Sequence, residues 1–380
     1  MPQDLNYEAM FTPPPEPPIF SRPLTPAAKA LHIIRLNKLN HAGRLTLRNE
    51  IVAATGASQP TVARAVTALL NKGLLRERPD LAEVQGRGRP SSPLEIAPND
   101  WRLAGIAVGT RETFVALYDI HGRIIADTVV HSRVAQTQDS DFLEHIIAAV
   151  HRLSTHAGGT LMSLGVTTSG YVSPEGCVDA PNLGWHHMNL AERLRYHFAL
   201  PVSVTSAVPA ILASEIQSED LPAATDTPPR VLVLFADDSI GAAFSNELGV
   251  HSIPTLPSTK RGPAEEVLST SGCLGSVSLS AAIQSPHFRE VLDARARGLG
   301  EVARELCAEH QPATVVLAGS AFSEDPRAPK IFAEVIRSSS LHCQPELRMI
   351  RSHQDMVQAI ARAVALDRLL RAPLSLGSTF

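Results

Sequence analysis

Cysteine is scarce in this chain: four in 380 residues (Cys177, Cys273, Cys307, Cys343), none close to another. A disulfide framework needs paired cysteines in an oxidising compartment, so the spacing fits reduced thiols. Aromatics make up 4% of the residues, which leaves the cores to Ala, Val, Leu and Ile. No apolar run approaches the roughly 18 residues that a membrane helix needs. The opening MPQDLNYEAMFTPPPEPP has acids and prolines where a secretory signal carries basic residues and then an apolar segment. These absences point to a cytoplasmic protein with no membrane partner. What remains, 44% hydrophobic and 19% charged residues, is ordinary for a globular chain long enough for two or three domains.

The net charge of −4 hides an asymmetry. Residues 26–100 hold eleven Lys/Arg against six Asp/Glu, a balance of +5. Residues 1–25 carry −2 and residues 101–380 carry −7. A basic module on an acidic body suggests that only the module touches a polyanion.

Residues 1–25 are rich in proline (PPPEPP, SRPLTP) and read as a disordered leader. Thr25-Pro26 supplies an N-cap and a proline at the first helical position. Ala28, Leu31, Ile34, Leu36 and Leu39 then form an approximate helical stripe up to Gly43. Thr46 is the expected cap of a second helix, LRNEIVAATG, which ends at Gly56. Ser58 caps a third, whose first turn is Gln59-Pro60-Thr61 and which closes at Gly73. Val62, Val66 and Leu69 share one face of it, while Gln59, Thr61 and Arg64 fall on a polar side.

Helix, glycine-containing turn, helix is the pattern of a helix-turn-helix, whose second helix reads DNA. Gln59 can form paired hydrogen bonds to adenine, Arg64 can do so to guanine, and the Ser58 end offers N–H groups to a phosphate. After Gly73, LLRERP, DLAEVQGRGRP and SSPLEIAP read as strand, loop, strand: a wing. Its tip carries Arg87 and Arg89 between glycines, slim enough for a minor groove or a phosphate backbone. A three-helix packing module with a solvated linker is the plainer reading, but caps, spacing, charge and basic loop agree with one another. The expected partner is double-stranded DNA, contacted by Ser58, Gln59, Thr61, Arg64, Arg87 and Arg89.

From Leu103 short apolar runs alternate with helices, which argues for α/β layers. RLAGIAVGTRETFVALYDIHGRIIADTVV reads as strands around a turn at 119–122, SDFLEHIIAAVHRLSTHAG as an amphipathic helix, and LMSLGVTTSGYV as a buried strand. RVLVLFADDSIGAAFSNELGV is a further strand pair, and ATVVLAGSAFSEDP a strand ending in a small-residue loop. The order of winged helix, GRGRP, GIAVGTRETFVALYDIHGRII and LGVTTSGYVSPEGCVDAPNLGW resembles the ROK family of repressors, open reading frames and sugar kinases, from about residue 26 to the end. DAPNLGW (179–185) and GCL (272–274) are its most legible later pieces. The resemblance implies an N-terminal winged helix-turn-helix followed by a two-lobed actin-like, hexokinase-like ATPase (ribonuclease H-like) α/β fold. The expected domains are the leader 1–25, the winged helix 26–100, lobes at 101–215 and 216–350, and a C-terminal helix, 351–380, packing back on the first lobe. Family members with a winged helix are regulators, commonly of sugar metabolism, that oligomerise through the body.

A phosphoryl-transfer site needs a base, phosphate donors and a metal handle. The family's first phosphate loop resembles Asp-x-Gly-Gly-Thr. Here GIAVGTR has Ala107 at the acid and Arg111 at the threonine. The family's catalytic Glu-Asn-Asp-Ala-Asn falls on residues 205–209, which makes the catalytic Asp Ala207 and the sugar-holding Asn Ser206. Alanine cannot accept a proton. The second loop, Gly-Thr-Gly-Ile-Gly in the family, is DDSIG at 237–241. Asp237 and Asp238 would repel a polyphosphate unless they held a divalent ion, and an Asp pair before Ser reads first as a solvated turn. Leu317-Ala318-Gly319-Ser320 keeps the glycine of a strand-to-helix turn.

The family's zinc site resembles an upstream His followed by Cys-x-Cys-Gly-x-x-Gly-Cys-Leu-Glu. Here only Cys273 is kept. The earlier ligand positions are Glu266 and Leu268, Gly275 follows Leu274, and His251 is the nearest upstream histidine. One thiolate cannot hold a tetrahedral ion. His186 and His187 have no evident partner in the sequence. No cofactor, metal or catalytic residue is therefore expected. The reading is a DNA-binding transcriptional regulator with a catalytically inactive body, used for oligomerisation as a homodimer or homotetramer and for sensing an effector. Its rivals are an ATP-dependent sugar kinase that also binds DNA, and a scaffold for a protein effector.

Overall fold

The computed structural model describes residues 19–21, 25–40, 45–82, 92–217, 230–338 and 344–377. The chain enters through a short strand, β1 (Phe20–Ser21), and then builds three helices: α1 (Pro26–Asn40), α2 (Arg48–Thr55) and α3 (Gln59–Asn71). Thr25 caps α1, its Oγ1 accepting from the Ala28 amide at 3.2 Å. Ala28, Leu31 and Ile34 are buried, whereas Leu36 is half-buried. The side chain of Leu39 lies outside the described residues. The second helix does not start on Thr46. That residue is buried, pairs by a backbone bridge with Leu94, and accepts a hydrogen bond from Asn37 Nδ2 at 3.0 Å. The cap comes from within the helix, where Glu50 Oε2 accepts from the Leu47 amide at 3.0 Å. A hydroxyl that faces the core cannot also close a helix end. Gly56, at φ 63°, ends α2 in the left-handed conformation that L side chains avoid. Strands β2 (Leu75–Glu77) and β3 (Leu94–Ile96) then pair antiparallel.

The first lobe is a mixed sheet. Its strands are β4 (Trp101–Val108), β5 (Glu112–Tyr118), β6 (Ile124–His131), β7 (Thr160–Thr168) and β11 (Val202–Ser206), in the order β11-β7-β4-β5-β6. Its central strands are buried on both faces, while the edge strand β6 alternates between exposed and half-buried residues. Helix α4 (Asp139–Ala157) turns Phe142, Ile146, Val150 and Leu153 onto the sheet. A small sheet of β8 (Tyr171–Val172), β9 (Val178–Ala180) and β10 (Trp185–Met188) follows, then α5 (Leu190–Phe198). Trp185 of DAPNLGW is fully buried, edge-on to Phe142 with centroids 5.1 Å apart. Helix α6 (Ala207–Gln217) leaves β11 toward the second lobe.

The second lobe carries β12 (Val231–Ala236), β13 (Ile240–Ser245) and β14 (Gly249–Ile253), then α7 (Ala264–Val267), α8 (Thr270–Leu274), α9 (Leu279–Gln284) and α10 (Arg289–His310). After these come β15 (Thr314–Ala318), α11 (Ser320–Ser323), α12 (Ala328–Arg337) and β16 (Glu346–Met349). The sheet order is β1-β14-β13-β12-β15-β16. Its edge strand β1 comes from the segment expected to be a disordered leader. Phe20 pairs with Val250, the Ile19 amide donates to the Val250 carbonyl at 2.8 Å, and Phe20 is buried. One apolar ring and an open sheet edge suffice to order this stretch despite its prolines.

Helix α13 (His353–Arg371) returns to the first lobe and lies on β4 and β7. Glycine allows that approach: a Cβ at Gly105 would sit 2.1 Å from the Ala361 carbonyl oxygen, and one at Gly165 would sit 2.1 Å from that of Val364. Beyond α13, the turn Pro373–Ser375 packs on α1 and α3. On the other side of α1, Arg35 is 1% exposed and donates from Nη2 to the His121 carbonyl in the β5–β6 turn at 3.1 Å. One apolar core runs from Leu31, Ile51 and Leu69 through Leu103 and Phe114 to Ile360 and Leu366. The winged helix is thus packed on the body, not strung from it.

Candidate DNA-reading face and body cleft

Helix α3, expected from the sequence to be the reading helix, forms because Ser58 caps it and Pro60 suits its first turn. Ser58 Oγ accepts from the Thr61 amide at 3.4 Å and lies 2.9 Å from Thr61 Oγ1. Both hydroxyls therefore close the helix start. Pro60 has no N–H, so the first-turn amide remaining for a phosphate is that of Gln59. Val62, Ala65, Val66 and Leu69 are buried. Ser58, Gln59 and Arg64 are exposed and Thr61 is half-buried. Arg64 Nε donates to the Pro60 carbonyl at 3.3 Å, which tethers the guanidinium along the helix. Thr61 and Arg64 also line one wall of a groove of about 480 Å³ whose other wall is residues 25–27 and 372–375. Thr67 and Asn71, three and seven positions after Arg64, are exposed as well. The sequence reading passed over both, although their spacing from Arg64 puts them opposite the buried stripe.

The module's positive charge is distributed unevenly. Arg48 is paired with Glu77 and Arg76 with Glu95. Arg78 lies 2.7 Å from Asp80 and 3.1 Å from Glu95. Burial pushes the Glu95 carboxyl up, but hydrogen bonds from Arg76 and Arg78 outweigh this and hold it below its ordinary range. The base of the β2–β3 hairpin is therefore an ion-pair network. Arg87 and Arg89, at the expected wing tip, lie outside the described residues.

In the body, Ala107 is buried in β4, paired with Phe114 and Thr167. Arg111 is exposed in a tight turn closed by the Gly109 amide and the Glu112 carbonyl at 3.0 Å. Ser206 ends β11 and Ala207 opens α6, both half-buried. The Asp237–Asp238 pair sits in the turn between β12 and β13, with Asp238 exposed and Asp237 half-buried and tied into the lobe. Asp237 Oδ1 accepts from Ser320 Oγ at 2.6 Å, and its carbonyl accepts from Arg295 Nη2 at 2.9 Å and Thr270 Oγ1 at 2.8 Å. Asp237 joins three segments far apart in the chain, a role invisible to a local reading. Around it opens a cavity of about 560 Å³.

The residues at the zinc positions are otherwise engaged. The Cys273 thiol donates to the Val267 carbonyl at 3.1 Å, and burial pushes its pKa up, away from the thiolate a metal needs. His251 stacks on Phe244 with centroids 5.2 Å apart, and its Nε2 lies 3.1 Å from Asn246 Oδ1. Glu266 is exposed and Leu268 is in the core. A Cβ at Gly272 would stand 1.8 Å from the Glu266 carbonyl oxygen, so the glycine of Gly-Cys-Leu has a packing reason to be there. Among the described residues, no group of three or more His, Cys, Asp or Glu could hold a metal ion. His187 does have a partner: its Nδ1 lies 2.9 Å from Asp179 Oδ2, and its amide donates to Asp179 Oδ1 at 3.0 Å.

Residues 103–226 match the model of the ROK family. Transcriptional regulators of Mycobacterium bovis and Mycobacterium tuberculosis are each 27% identical over 368 residues, covering 86% of this chain and 83% of theirs. Among solved structures, a ROK family transcriptional regulator, a homologue of the E. coli Mlc protein, superposes with a TM-score of 0.67 at 17% identity. It covers 90% of this chain and 98% of its own. A ROK hexokinase from Thermus thermophilus gives 0.56 at 16% identity, over 70% of this chain and 98% of its own. At such identities the structures speak to fold alone. The two-lobed, hexokinase-like α/β architecture expected from the sequence is the one observed. The stretch that matches the ROK family model begins within β4 and runs through α6.

Proposed function

We propose that this chain is a sequence-specific DNA-binding transcriptional regulator whose kinase-like body serves assembly and sensing, not phosphoryl transfer. The observation that carries the reading is the exposed stripe of Gln59, Arg64, Thr67 and Asn71 on α3. It follows a glycine turn on the one stretch of the chain with a balance of +5. The regulators of the two mycobacteria, similar over most of their length, support it. Gln59 and Arg64 would read base edges, and the Ser58 end would meet a phosphate. Thr61 would support the helix start, and Arg87 and Arg89 would follow the backbone or minor groove. A homodimer or homotetramer in the cytoplasm would set two such helices on half-sites about one duplex turn apart.

The loss of a base at Ala207 supports an inactive body, since alanine cannot take up the sugar hydroxyl proton. The packing of Pro373–Ser375 on α3 supports a sensing role: a shift of α13 would reach the reading helix directly. The test is a titration of native upstream DNA against random DNA across a salt series. A specific site should bind roughly a thousandfold or more tighter. Equal affinities at every salt concentration would reduce the protein to its non-specific electrostatic term and refute the reading. ATP-dependent phosphorylation of a hexose, abolished by changes in the cleft, would favour a kinase instead.

A further inference from the structure

We propose that the groove between α1, α3 and the turn Pro373–Ser375 binds a small aromatic carboxylate, whose anionic group pairs with Arg64 and takes it away from DNA. The site stands on its own geometry, and only its effect on DNA rests on the regulatory reading.

The groove, of about 480 Å³, is of small-molecule size. One wall is a stripe of α3: Thr61, Arg64, Ala65 and Ala68 follow one another at i, i+3, i+4 and i+7, a single helical face. The two alanines leave space that a longer apolar side chain would fill. The facing wall is the start of α1, with Pro26 and Ala27, and the turn after α13, with Pro373 and Leu374. Seven of the eleven lining residues are Ala, Pro or Leu, so the body of the ligand must be apolar, and a slot between two walls suits a flat ring. The hydroxyls in the lining are already engaged within the protein. Thr25 Oγ1 accepts from the Ala28 amide, Thr61 Oγ1 pairs with Ser58 Oγ, and Ser375 Oγ donates to the Ala372 carbonyl at 2.8 Å. Arg64 is left as the polar group that can fix a ligand's orientation.

Its charge is not spoken for. Arg48, Arg76 and Arg78 of the same module each pair with a carboxylate. Among the described residues Arg64 makes only the bond from Nε to the Pro60 carbonyl, and no Asp or Glu lines the groove. The Nη donors therefore stand beside an apolar slot without an acceptor. A carboxylate matches a guanidinium in a planar, charge-assisted pair, the stronger kind of hydrogen bond. A neutral molecule of the same shape would gain only the apolar burial. A guanine needs the same guanidinium, so the bound anion and the base exclude one another.

The experiment is calorimetric titration of the full chain with 1-naphthoate, its neutral counterpart 1-naphthamide, and acetate as probes. At low salt 1-naphthoate should bind roughly tenfold or more tighter than 1-naphthamide, and acetate should give no binding. Arg64→Ala should bring the two arenes to within about twofold by weakening 1-naphthoate alone. Ala68→Leu, which fills the slot and leaves Arg64 in place, should weaken both arenes by roughly tenfold or more. If that variant has a lowered Tm, Leu374→Ser, at an exposed position, carries the comparison by weakening both alike. In the DNA titration, 1-naphthoate should raise the apparent Kd in step with its own occupancy, and Ala68→Leu should bind DNA as before and lose that response. Equal affinity for the two arenes, no 1-naphthoate binding up to about 10 mM, or DNA affinity unchanged at saturating 1-naphthoate would overturn the proposal. Specific DNA binding without 1-naphthoate binding removes only the ligand site, and 1-naphthoate binding without specific DNA binding removes only the regulator.

Discussion

Arg64 sits where two structural demands meet. Its Nε is tied to the Pro60 carbonyl, which limits the rotamers the guanidinium must give up on binding a base. Arg64→Ala should weaken specific binding by about 1–3 kcal/mol and relax preference at one base position, as read by fluorescence anisotropy on operator variants. Its exposure followed from a short-range pattern, the spacing from Val62, Val66 and Leu69. Asp367 was not legible in that way. It is buried, with Arg371 Nη2 3.1 Å from its Oδ2. Burial pushes its carboxyl up from 3.8 to about 6 against the pull of Arg371 and Arg368. Between those pH values the folded chain holds a proton that the unfolded chain has lost, so this residue favours folding as pH falls. The penalty is full above about pH 6. Asp367→Asn should therefore gain stability relative to wild type between pH 4 and pH 7, by about 3 kcal/mol at most, in urea unfolding at the two pH values.

Helix α13 shows how an element draws its meaning from what it lies on. Its stripe of apolar residues announced a helix, but the glycines that receive it stand 199 and 256 positions away in β7 and β4, as Val364 against Gly165 and Ala361 against Gly105 show only once packed. Gly165→Ala would press a methyl against the Val364 carbonyl and shift the helix, which carries the displacement to Pro373–Ser375 beside α3. The expected result is a lower Tm, by an amount equal to about 1–3 kcal/mol of overpacking, together with weaker DNA binding. The wing gives a contrasting case. The paired strands β2 and β3 were legible from their flanking turns, and their ion pairs to α2 and across the hairpin were not. Because these pairs satisfy Arg48, Arg76 and Arg78, the tip arginines should carry the backbone contact. Arg87→Ala with Arg89→Ala should weaken binding to every sequence alike and lower the slope of log affinity against log salt by about 2.

Over the whole molecule, the N-terminal helical module is held both before α1 and within it. Phe20 anchors the chain before it to the edge of the second lobe, and Arg35 anchors the helix to the β5–β6 turn of the first. A change in the angle between the lobes would therefore act on the module from two sides. Phe20→Ala should lower stability by about 3 kcal/mol in denaturant unfolding and loosen the module, seen as faster amide exchange in α1. The proline content around Phe20 argued for a segment without structure. A strand of two residues is too short to register as a period, and its partner β14 lies some 230 residues further on.

Local order was therefore readable from residue types alone: the capped helices, the glycine turn, the apolar stripes and the basic module. All of these depend on neighbours within about four positions, where helical and strand periodicities act. Packing alone brought Asp237 to Ser320, Asp179 to His187, Phe20 to Val250 and α13 to two glycines. Such pairings are set by which burial and hydrogen-bonding arrangement of the entire chain has the lowest free energy. No single window of the sequence contains that comparison.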